Sequence, residues 1–304
     1  SNHLMDTVRN IGIPAGNIVI EINETKTNNM EHLKRFINTY RDYGFLISLD
    51  DVGSGISNLD RIPLTKPDII KIDRYLIKDI DKQYHKQEVF KSLVNLSKKI
   101  GALVVAEGVE TEEEAMVALE LGADMLQGFY LSKPGPVEKV LPFITSFAVG
   151  DAANKFKEYI VTKLSREKEK HNACDAVIDD ILGELQANSL RNFNSILKHM
   201  TGRYSTYECI YILDETGVQI SDTICRSDLP LHRSVIFHPA QKGENHSLKK
   251  YYYFLMNTGL NRYITRPYIS LATGNLCITA SVRFKGLNGE KYILCIDFCM
   301  DRYI

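Results

Sequence analysis

Residues 45–55 read Phe-Leu-Ile-Ser-Leu-Asp-Asp-Val-Gly-Ser-Gly, an apolar run that ends in two adjacent aspartates and a glycine-containing turn. The pattern predicts a buried β-strand that presents Asp50 and Asp51 at its carboxyl end. Two neighbouring carboxylates repel each other unless a cation lies between them. A divalent metal ion with oxygen ligands is the neutraliser that this pair favours. The sequence therefore predicts a metal site at the end of this strand.

The same arrangement, a short apolar strand with a polar residue at its end and usually a helix after it, recurs over residues 17–131. The predicted strands cover residues 18–22, 45–50, 68–72, 102–106 and 124–127. The predicted helices lie near residues 30–43, 86–100 and 112–121. Strands that alternate with helices predict a parallel α/β sheet or barrel.

Local signals predict where these helices begin and end. Gly44, Gly101 and Gly122 stand at the positions where a helix ends in a left-handed residue. Thr111 and the three glutamates that follow it predict a capped helix start with an acidic first turn. These boundaries support three helices between the strands.

Polar side chains stand at or just beyond the carboxyl ends of the predicted strands: Glu21, Asp50, Asp51, Lys71, Glu107 and Gln127. In a (β/α) barrel, such side chains converge on the face where active sites lie. Any one of them alone could be a helix cap or an ion-pair partner. Their recurrence on five successive strands favours a common site. Four carboxylates in one place predict a pair of hard divalent cations.

Length and composition indicate a globular protein of about two domains, with 304 residues, 44% of them hydrophobic and 25% charged. The formal net charge of −1 argues against a binder of polymeric nucleic acid. The sequence contains no apolar run of about 18 residues, so it predicts no membrane span. The six cysteines include no Cys-x-x-Cys pair, so we expect reduced thiols and a cytoplasmic location.

The sequence pattern changes after residue 137. Residues 142–200 carry apolar stripes at helical spacing, which predict a helical connector that packs on a partner chain in a homodimer. From Tyr204 onwards, the pattern predicts a five-stranded antiparallel sheet with helices on one side. Its strands are predicted at residues 208–213, 218–223, 263–271, 276–284 and 291–297, with a helix at 248–256.

Five motifs follow one another in the first half of the chain: Glu21-Ile-Asn-Glu24, Asp50-Asp-Val-Gly-Ser-Gly55, Lys71-Ile-Asp73, Ala106-Glu-Gly-Val-Glu-Thr111 and Gln127-Gly-Phe-Tyr-Leu-Ser-Lys-Pro134. In this order they closely resemble the EAL-domain family of cyclic di-GMP phosphodiesterases, over residues 4–148. The resemblance implies a modified TIM barrel. It also implies hydrolysis of cyclic di-GMP to linear pGpG with two Mg²⁺ or Mn²⁺ ions.

The resemblance implies metal ligands residue by residue. Glu21 and Asp50 would bind the first metal ion, with Asp50 bridging to the second. Asp51 would help to hold that second ion. Glu107 would be a further metal-site carboxylate or a proton acceptor.

The resemblance also implies roles around the metal ions. Lys71 would position and polarise the attacking water or a phosphate oxygen. Gln127 would hydrogen-bond in the same site. Glu24 would brace the loop of residues 52–57, which in the family links metal binding to dimerisation.

Part of the family pattern is absent from this sequence. The string Glu-Ala-Leu, whose glutamate binds metal in the family, does not occur. Only about five of the eight strands of a TIM barrel are predicted. We therefore expect the chain to be a piece of a longer protein and to show little phosphodiesterase activity by itself.

Three segments stand out in the last third of the chain: Tyr211-Ile-Leu-Asp-Glu-Thr-Gly217, Arg266-Pro-Tyr-Ile269 and Ala272-Thr-Gly274. They resemble parts of PAS-like or Cache-like sensor domains. The resemblance implies a small-ligand pocket between sheet and helix, with Tyr252, Arg266 and Tyr268 as candidate lining residues. In the competing interpretation, residues 251–253 are ordinary surface and core aromatics.

These observations divide the chain into a partial EAL barrel (1–148), a helical linker (149–200) and an α+β PAS-like or Cache-like sensor domain (201–304). We expect a phosphodiesterase that hydrolyses cyclic di-GMP under control of the sensor. Two alternatives stay open. One is a receptor that binds cyclic di-GMP without turnover, and the other is a signalling and dimerisation module.

Overall fold

The computed structural model describes residues 3–23, 30–54, 58–136, 142–228 and 236–299. The chain divides into two compact units, residues 1–164 and residues 165–304. The first unit contains a parallel sheet and the second an antiparallel sheet. Each unit has its own hydrophobic core.

In the part of the first unit that the structure describes, five parallel strands form the sheet, in the order in which they follow along the chain. They are β1 Val19–Ile22, β2 Leu46–Val52, β3 Ile69–Ile72, β4 Leu103–Glu107 and β5 Met125–Gln127. The helices are α1 His3–Ile11, α2 Met30–Asp42, α3 Arg61–Thr65, α4 Arg74–Ile77, α5 Tyr84–Ile100 and α6 Glu112–Glu120. The predicted parallel sheet is confirmed. Helices α1, α3 and α4 are additional to the three predicted helices.

One face of the parallel sheet packs against helices. Ile70 and Ile72 of β3 are buried there, in one hydrophobic cluster with Phe90 of α5. Successive side chains of a strand point to opposite faces. The residue between the two isoleucines, Lys71, therefore points away from this core.

The predicted helix boundaries are confirmed where capping groups decide them. The Thr111 hydroxyl accepts a hydrogen bond from the Glu114 backbone N–H, and the Glu114 carboxylate accepts one from the Thr111 N–H. This reciprocal pair is a capping box at the start of α6. Helix α5 is capped at its carboxyl end by Gly101, whose φ of 80° lies in the left-handed region.

Helices fill the connecting region, as predicted. They are α7 Pro142–Gln186 and α8 Phe193–Arg203. Phe156 and Tyr159 of α7 pack against the core of the first unit, and Ile178 is buried in the core of the second. Within the described part of the chain, no helix combines the length and the apolar composition needed to cross a membrane.

Besides α8 and the end of α7, the described residues of the second unit form an antiparallel sheet and one further helix. Its elements are β6 Tyr207–Asp214, β7 Ile224–Cys225, α9 Lys250–Thr258, β8 Arg262–Ile264, β9 Tyr268–Ile269, β10 Leu276–Lys285 and β11 Lys291–Cys299. The strand order is β7-β6-β11-β10-β8, and β9 also pairs with β10. The predicted antiparallel sheet is confirmed, but the described residues form six strands rather than five.

The predicted strand at residues 218–223 is wrong, because this segment forms only isolated bridges. Its backbone groups bond in turn to two different segments. The Ile220 N–H donates to the Ile212 carbonyl, whereas the Gln219 N–H donates to the Glu244 carbonyl. The pairing with β6 stops here because the Ile212 N–H donates to the Ser221 hydroxyl rather than to a backbone carbonyl, and the short strand β7 pairs with β6 further along.

The predicted strand at residues 263–271 is divided in the structure into β8 and β9. Pro267 lies between them and has no N–H to donate to a neighbouring strand. The interruption lets both short strands pair with β10 at separate positions.

Each face of the antiparallel sheet is covered by its own hydrophobic cluster. One cluster contains Ile212 and Leu294 and includes Leu197 of α8. The other contains Leu213 and Leu255, the latter from α9. Both faces of the central strands are therefore buried, and the prediction that helices lie on one side of this sheet is wrong, because α8 covers one face and α9 the other.

Cys209 of β6 and Cys225 of β7 form a disulfide, with Cα atoms 4.1 Å apart. The two residues lie directly opposite each other in the β6–β7 pairing. This pairing corrects the expectation that all the cysteines are reduced thiols. The two cysteines are 16 residues apart and belong to no local sequence motif. They meet because their strands are neighbours in the sheet. The other four cysteines are buried.

Candidate metal centre

Lys71 lies within a cluster of carboxylates at the carboxyl ends of the parallel strands. Its Nζ atom is 2.8 Å from Glu21 Oε1, 3.2 Å from Asp50 Oδ1 and 2.6 Å from Glu107 Oε1. The side chain of Lys71 is 9% exposed, whereas that of Glu21 is 52% exposed. The cluster is therefore buried at the lysine and open to solvent on the β1 side.

The register of the parallel strands explains this convergence. Glu21 pairs with Ser48 of β2, and Asp50 lies two residues further along that strand. Lys71 pairs with the residue of β4 that lies two positions before Glu107. Because side chains alternate between faces, all these residues project from the same face of the sheet.

Asp51 joins the cluster through an irregular backbone. Its φ is 57°, in the left-handed region, and the register between β2 and β3 shifts between Leu49 and Val52. In a regular strand, Asp51 would point to the face opposite Asp50. Instead, ligand oxygens of Asp50, Asp51 and Glu107 all lie within 4.8 Å of one another.

Asn23 contacts this irregular segment from the end of β1. Its Nδ2 atom donates a hydrogen bond to Asp51 Oδ2, at 2.9 Å. Asn23 is uncharged, so the pattern of charged strand ends does not include it. The signal that would have found it is its position two residues after Glu21, on the same side of an extended chain.

The donor set of the cluster fits a hard divalent cation, because it consists of carboxylate oxygens. Asp50 Oδ1 is buried and lies 3.2 Å from Nζ of Lys71. A buried acceptor with unused bonding capacity, beside further carboxylates, is what a Mg²⁺, Mn²⁺ or Ca²⁺ ion would satisfy. Asp50, Asp51 and Glu107 place ligand oxygens close enough together to hold it, and the role of Glu21 as a ligand stays a prediction.

The charges in the cluster depend on one another. Burial lowers the pKa of Lys71, but hydrogen bonds to Glu107 and Glu21 outweigh burial and raise this pKa above its ordinary value. Burial raises the pKa of Glu107, although Lys71 opposes the change. Burial and the repulsion from Asp50 raise the pKa of Asp51. Lys71 therefore stays positively charged. The carboxylates around it carry more negative charge than this one lysine neutralises, which favours the binding of a further cation.

The remaining predicted residues of this site lie at its edge or outside the described residues. Gln127 ends β5 with an exposed side chain, and its backbone carbonyl accepts a hydrogen bond from the Val109 N–H. Gly128 packs so closely that a Cβ there would lie 2.1 Å from the Val109 oxygen. Glu24 and residues 55–57 are not among the described residues, so their roles stay predictions.

The three predicted ligand residues of the second unit have different surroundings. The Tyr252 hydroxyl donates to the Glu215 backbone carbonyl, at 2.9 Å. Arg266 is exposed. The Tyr268 hydroxyl lies 2.5 Å from the Thr279 hydroxyl inside the unit. The role of these residues in ligand binding stays a prediction.

Two buried carboxylates of the second unit were not selected from the sequence. Glu208 accepts hydrogen bonds from Thr273 and Asn275, both at 2.8 Å. Asp297 accepts one from Thr279, at 2.7 Å. Burial raises the pKa of Asp297 to about 7. Both residues lie within predicted strands, where the alternation of polar and apolar residues does not reveal that a polar position is buried.

Fold and site together define a β/α protein with a carboxylate–lysine cluster at the carboxyl edge of a parallel sheet, the edge where such folds carry active sites. The family model described as the EAL domain matches residues 1–134. The match begins at the first residue and ends before residue 148, the expected limit of the resemblance. It therefore supports the EAL-domain resemblance for this part of the chain.

Two curated relatives illustrate the similarity. The uncharacterized EAL-domain containing protein YkuI of Bacillus subtilis is 27% identical over 283 residues, which cover 89% of this chain and 66% of YkuI. The probable cyclic di-GMP phosphodiesterase PdeA of Escherichia coli is 34% identical over 121 residues, covering 40% of this chain and 17% of PdeA. The chain thus spans less than two thirds of the length of either relative.

A solved structure resembles the chain over almost its whole length. It is the crystal structure of Bacillus subtilis YkuI, with an EAL domain, in complex with substrate c-di-GMP and calcium. The sequence identity is 25%, the TM-score is 0.75, and the similarity covers 98% of this chain and 73% of the YkuI chain. The similarity therefore extends beyond the part that the EAL model matches.

Proposed function

We propose that the chain is part of an EAL-domain phosphodiesterase that hydrolyses cyclic di-GMP to linear pGpG with divalent metal ions. One observation carries the proposal: the carboxylates of Glu21, Asp50 and Glu107 converge on Lys71 at the ends of neighbouring strands. The match of residues 1–134 to the EAL domain and the YkuI complex with c-di-GMP and calcium support it.

The proposed cofactors are two Mg²⁺ or Mn²⁺ ions, held by Glu21, Asp50, Asp51 and Glu107. When bound, such ions stabilise the attacking and leaving oxygens of a phosphoryl displacement. The four carboxylates set where a phosphodiester can lie against the sheet edge. Lys71 contributes a fixed positive charge, which binds a phosphate oxygen or orients the attacking water.

Glu107 either binds an ion or accepts the proton of the attacking water. Burial raises its pKa, which makes it a stronger base than an exposed glutamate. The water oxygen bonds to phosphorus, the phosphorus–oxygen bond to one ribose breaks, and the proton passes to the released ribose oxygen. Gln127 would hydrogen-bond at the same edge, and Glu24 would brace the loop after the aspartate pair.

Metal-dependent turnover by the full-length protein tests this proposal. Asp50→Asn should lower the release of pGpG by orders of magnitude, because it removes the bridging charge. Asp42→Asn changes an exposed aspartate at the end of α2 and should leave turnover unchanged. Unchanged Mg²⁺-dependent release of pGpG by Asp50→Asn would remove the metal role of this residue. The chain of 304 residues alone should show little turnover.

We also propose that the antiparallel unit is a PAS-like or Cache-like sensor that regulates hydrolysis in a cytoplasmic homodimer. The sheet with its adjoining helix supports a sensor, and Tyr252, Arg266 and Tyr268 are its candidate ligand contacts. Exposed apolar side chains on α7, Val161 and Leu164, support a partner chain. A monomer by light scattering at micromolar concentration would remove the homodimer from the proposal.

Binding without hydrolysis is the second candidate function. The observation that favours it is the YkuI complex, in which c-di-GMP is bound together with calcium. Equilibrium dialysis with cyclic di-GMP, followed by analysis of the recovered nucleotide, separates the two candidates. Retention of intact cyclic di-GMP in the presence of Mn²⁺ supports a receptor, and its conversion to pGpG supports the enzyme.

A further inference from the structure

Asp51 reaches the carboxylate cluster only because β2 leaves the regular strand conformation at this residue. Its φ of 57° lies in a region that residues other than glycine, asparagine and aspartate seldom adopt. The regular alternation would place its side chain on the face that packs against helices, opposite Asp50. The left-handed residue returns the side chain to the site face.

The chain beyond Asp51 is held by packing. Val52 is buried, and Gly53 has a φ of 97°. A Cβ on Gly53 would lie 2.4 Å from Leu76 Cδ1, so α4 occupies the space that a side chain would need. The Val52 carbonyl also accepts a hydrogen bond from the Asp73 N–H, at 3.0 Å, which holds the backbone beside β3. The orientation of the Asp51 carboxylate then depends on what the side chain itself contacts.

Asn23 makes such a contact from a different strand. Its Nδ2 atom donates to Asp51 Oδ2, at 2.9 Å, across a separation of 28 residues along the chain. This hydrogen bond lowers the pKa of Asp51, whereas the nearby Asp50 carboxylate raises it. An amide is neutral, so Asn23 orients the carboxylate without adding a positive charge that would compete with a cation.

We propose that Asn23 is a positioning residue for a hard divalent cation. Its amide holds the Asp51 carboxylate on the site face in the orientation needed to bind the ion. The inference rests on the proposed function, because it takes Asp51 to be an ion ligand. It adds a second layer of residues to the site, and outer hydrogen bonds of this kind commonly govern metal affinity.

A double-mutant cycle on Mn²⁺ binding tests the proposal without relying on activity. Calorimetric titration of the 304-residue chain with Mn²⁺ compares the unaltered protein with Asn23→Ala, Asp51→Ala and the double variant. Asn23→Ala should weaken Mn²⁺ binding by about 10-fold. It should have no further effect when Asp51 is already alanine, because it acts through that residue. Asn17→Ala, at an exposed asparagine before β1, should bind Mn²⁺ like the unaltered chain.

The outcomes separate this inference from the proposed function. Equal weakening by Asn23→Ala in both backgrounds would show a general structural effect and would overturn the positioning role. Unchanged affinity of Asp51→Ala would remove Asp51 from the ion ligands, and the inference would fall with it. A loss of affinity in Asp51→Ala alone would leave the proposed function intact and overturn only the role of Asn23.

Two further measurements complete the test: Mn²⁺ binding by the unaltered chain and the unfolding temperature of the variants. Absence of Mn²⁺ binding by the unaltered chain would overturn both the ion site and the inference. If Asn23→Ala unfolds at a lower temperature without Mn²⁺, Asn23→Leu replaces it in the cycle, since leucine is similar in size and has no donor. The same non-additivity with Asp51→Ala is expected.

Discussion

Nζ of Lys71 lies 2.6 Å from Oε1 of Glu107, the shortest of the three ion pairs that this lysine makes. Both side chains are largely buried, at 9% and 14% exposure. The lysine is thus an internal counter-ion for carboxylates that would otherwise repel one another. Its charge also limits how much further positive charge the site needs.

Lys71→Met should lower the free energy of unfolding by about 3–5 kcal/mol in metal-free buffer, because it leaves buried carboxylates without a cation. Mn²⁺ should restore part of the loss, since the ion replaces the missing positive charge. Urea denaturation with and without Mn²⁺ measures both effects. Lys82→Met removes an exposed pair with Asp79 and should leave stability nearly unchanged. Similar losses in the two variants would contradict the counter-ion role.

Gly128→Ala should destabilise the first unit by about 2 kcal/mol, because the new Cβ overlaps backbone rather than a flexible side chain. The Cβ would lie 2.1 Å from the Val109 oxygen, so the chain at Gln127 would have to move. Differential scanning calorimetry measures the change. Gly135→Ala introduces a Cβ with no atom within 4 Å and serves as the matched control. An unchanged unfolding temperature for Gly128→Ala would mean that this contact is not tight in solution.

Asp297 should make the second unit less stable as the pH rises. Burial raises its pKa to about 7, against an ordinary value of 3.8. The folded state therefore binds more protons than the unfolded state between these values. This contribution to stability is fully present below about pH 4 and is lost as the pH rises through about 7. The shift corresponds to about 4 kcal/mol at most.

Urea denaturation at pH 5 and at pH 8 measures this dependence. The unaltered protein should lose more stability between the two pH values than Asp297→Asn, which cannot ionise. Asp179→Asn, at an exposed aspartate of α7, should keep the pH dependence of the unaltered protein. An identical pH dependence in Asp297→Asn and the unaltered protein would show that Asp297 ionises normally when folded.

Cys225→Ser should lower the free energy of unfolding by about 3 kcal/mol under oxidising conditions, by the loop entropy that a disulfide removes from the unfolded chain. The estimate uses the separation of 16 residues between Cys209 and Cys225. Dithiothreitol should lower the unfolding temperature of the unaltered protein but not that of the variant. Mass spectrometry that finds every cysteine reduced in the oxidised sample would contradict the pairing.

The parallel sheet could be predicted because its strands are short apolar runs with polar ends. Once Lys71 and Glu107 were placed at strand ends, the common direction of the strands implied that they lie close together. The same reasoning could not reach Asn23. Its contact with Asp51 depends on a register shift and a left-handed residue in β2, and a pattern with a period of two residues encodes neither.

The antiparallel unit was predicted less completely, for a related reason. Residues 218–223 have the composition of a strand, but their hydrogen-bond partners lie in two separate segments that the local sequence does not specify. The pairing of Cys209 with Cys225 depends on which strand lies beside β6. The burial of Glu208 and Asp297 depends on partners such as Thr273 and Thr279, far away in the chain.

The two-residue length of β7 has a consequence for self-association. A sheet edge offers unpaired N–H and C=O groups to other molecules, and a short edge strand offers few of them. β6 behind it is eight residues long and largely buried. The covalent bond from Cys209 to Cys225 keeps β7 over part of that longer strand. Reducing conditions would therefore expose a better template for edge-to-edge aggregation, and protein stored with a reductant should precipitate sooner than oxidised protein.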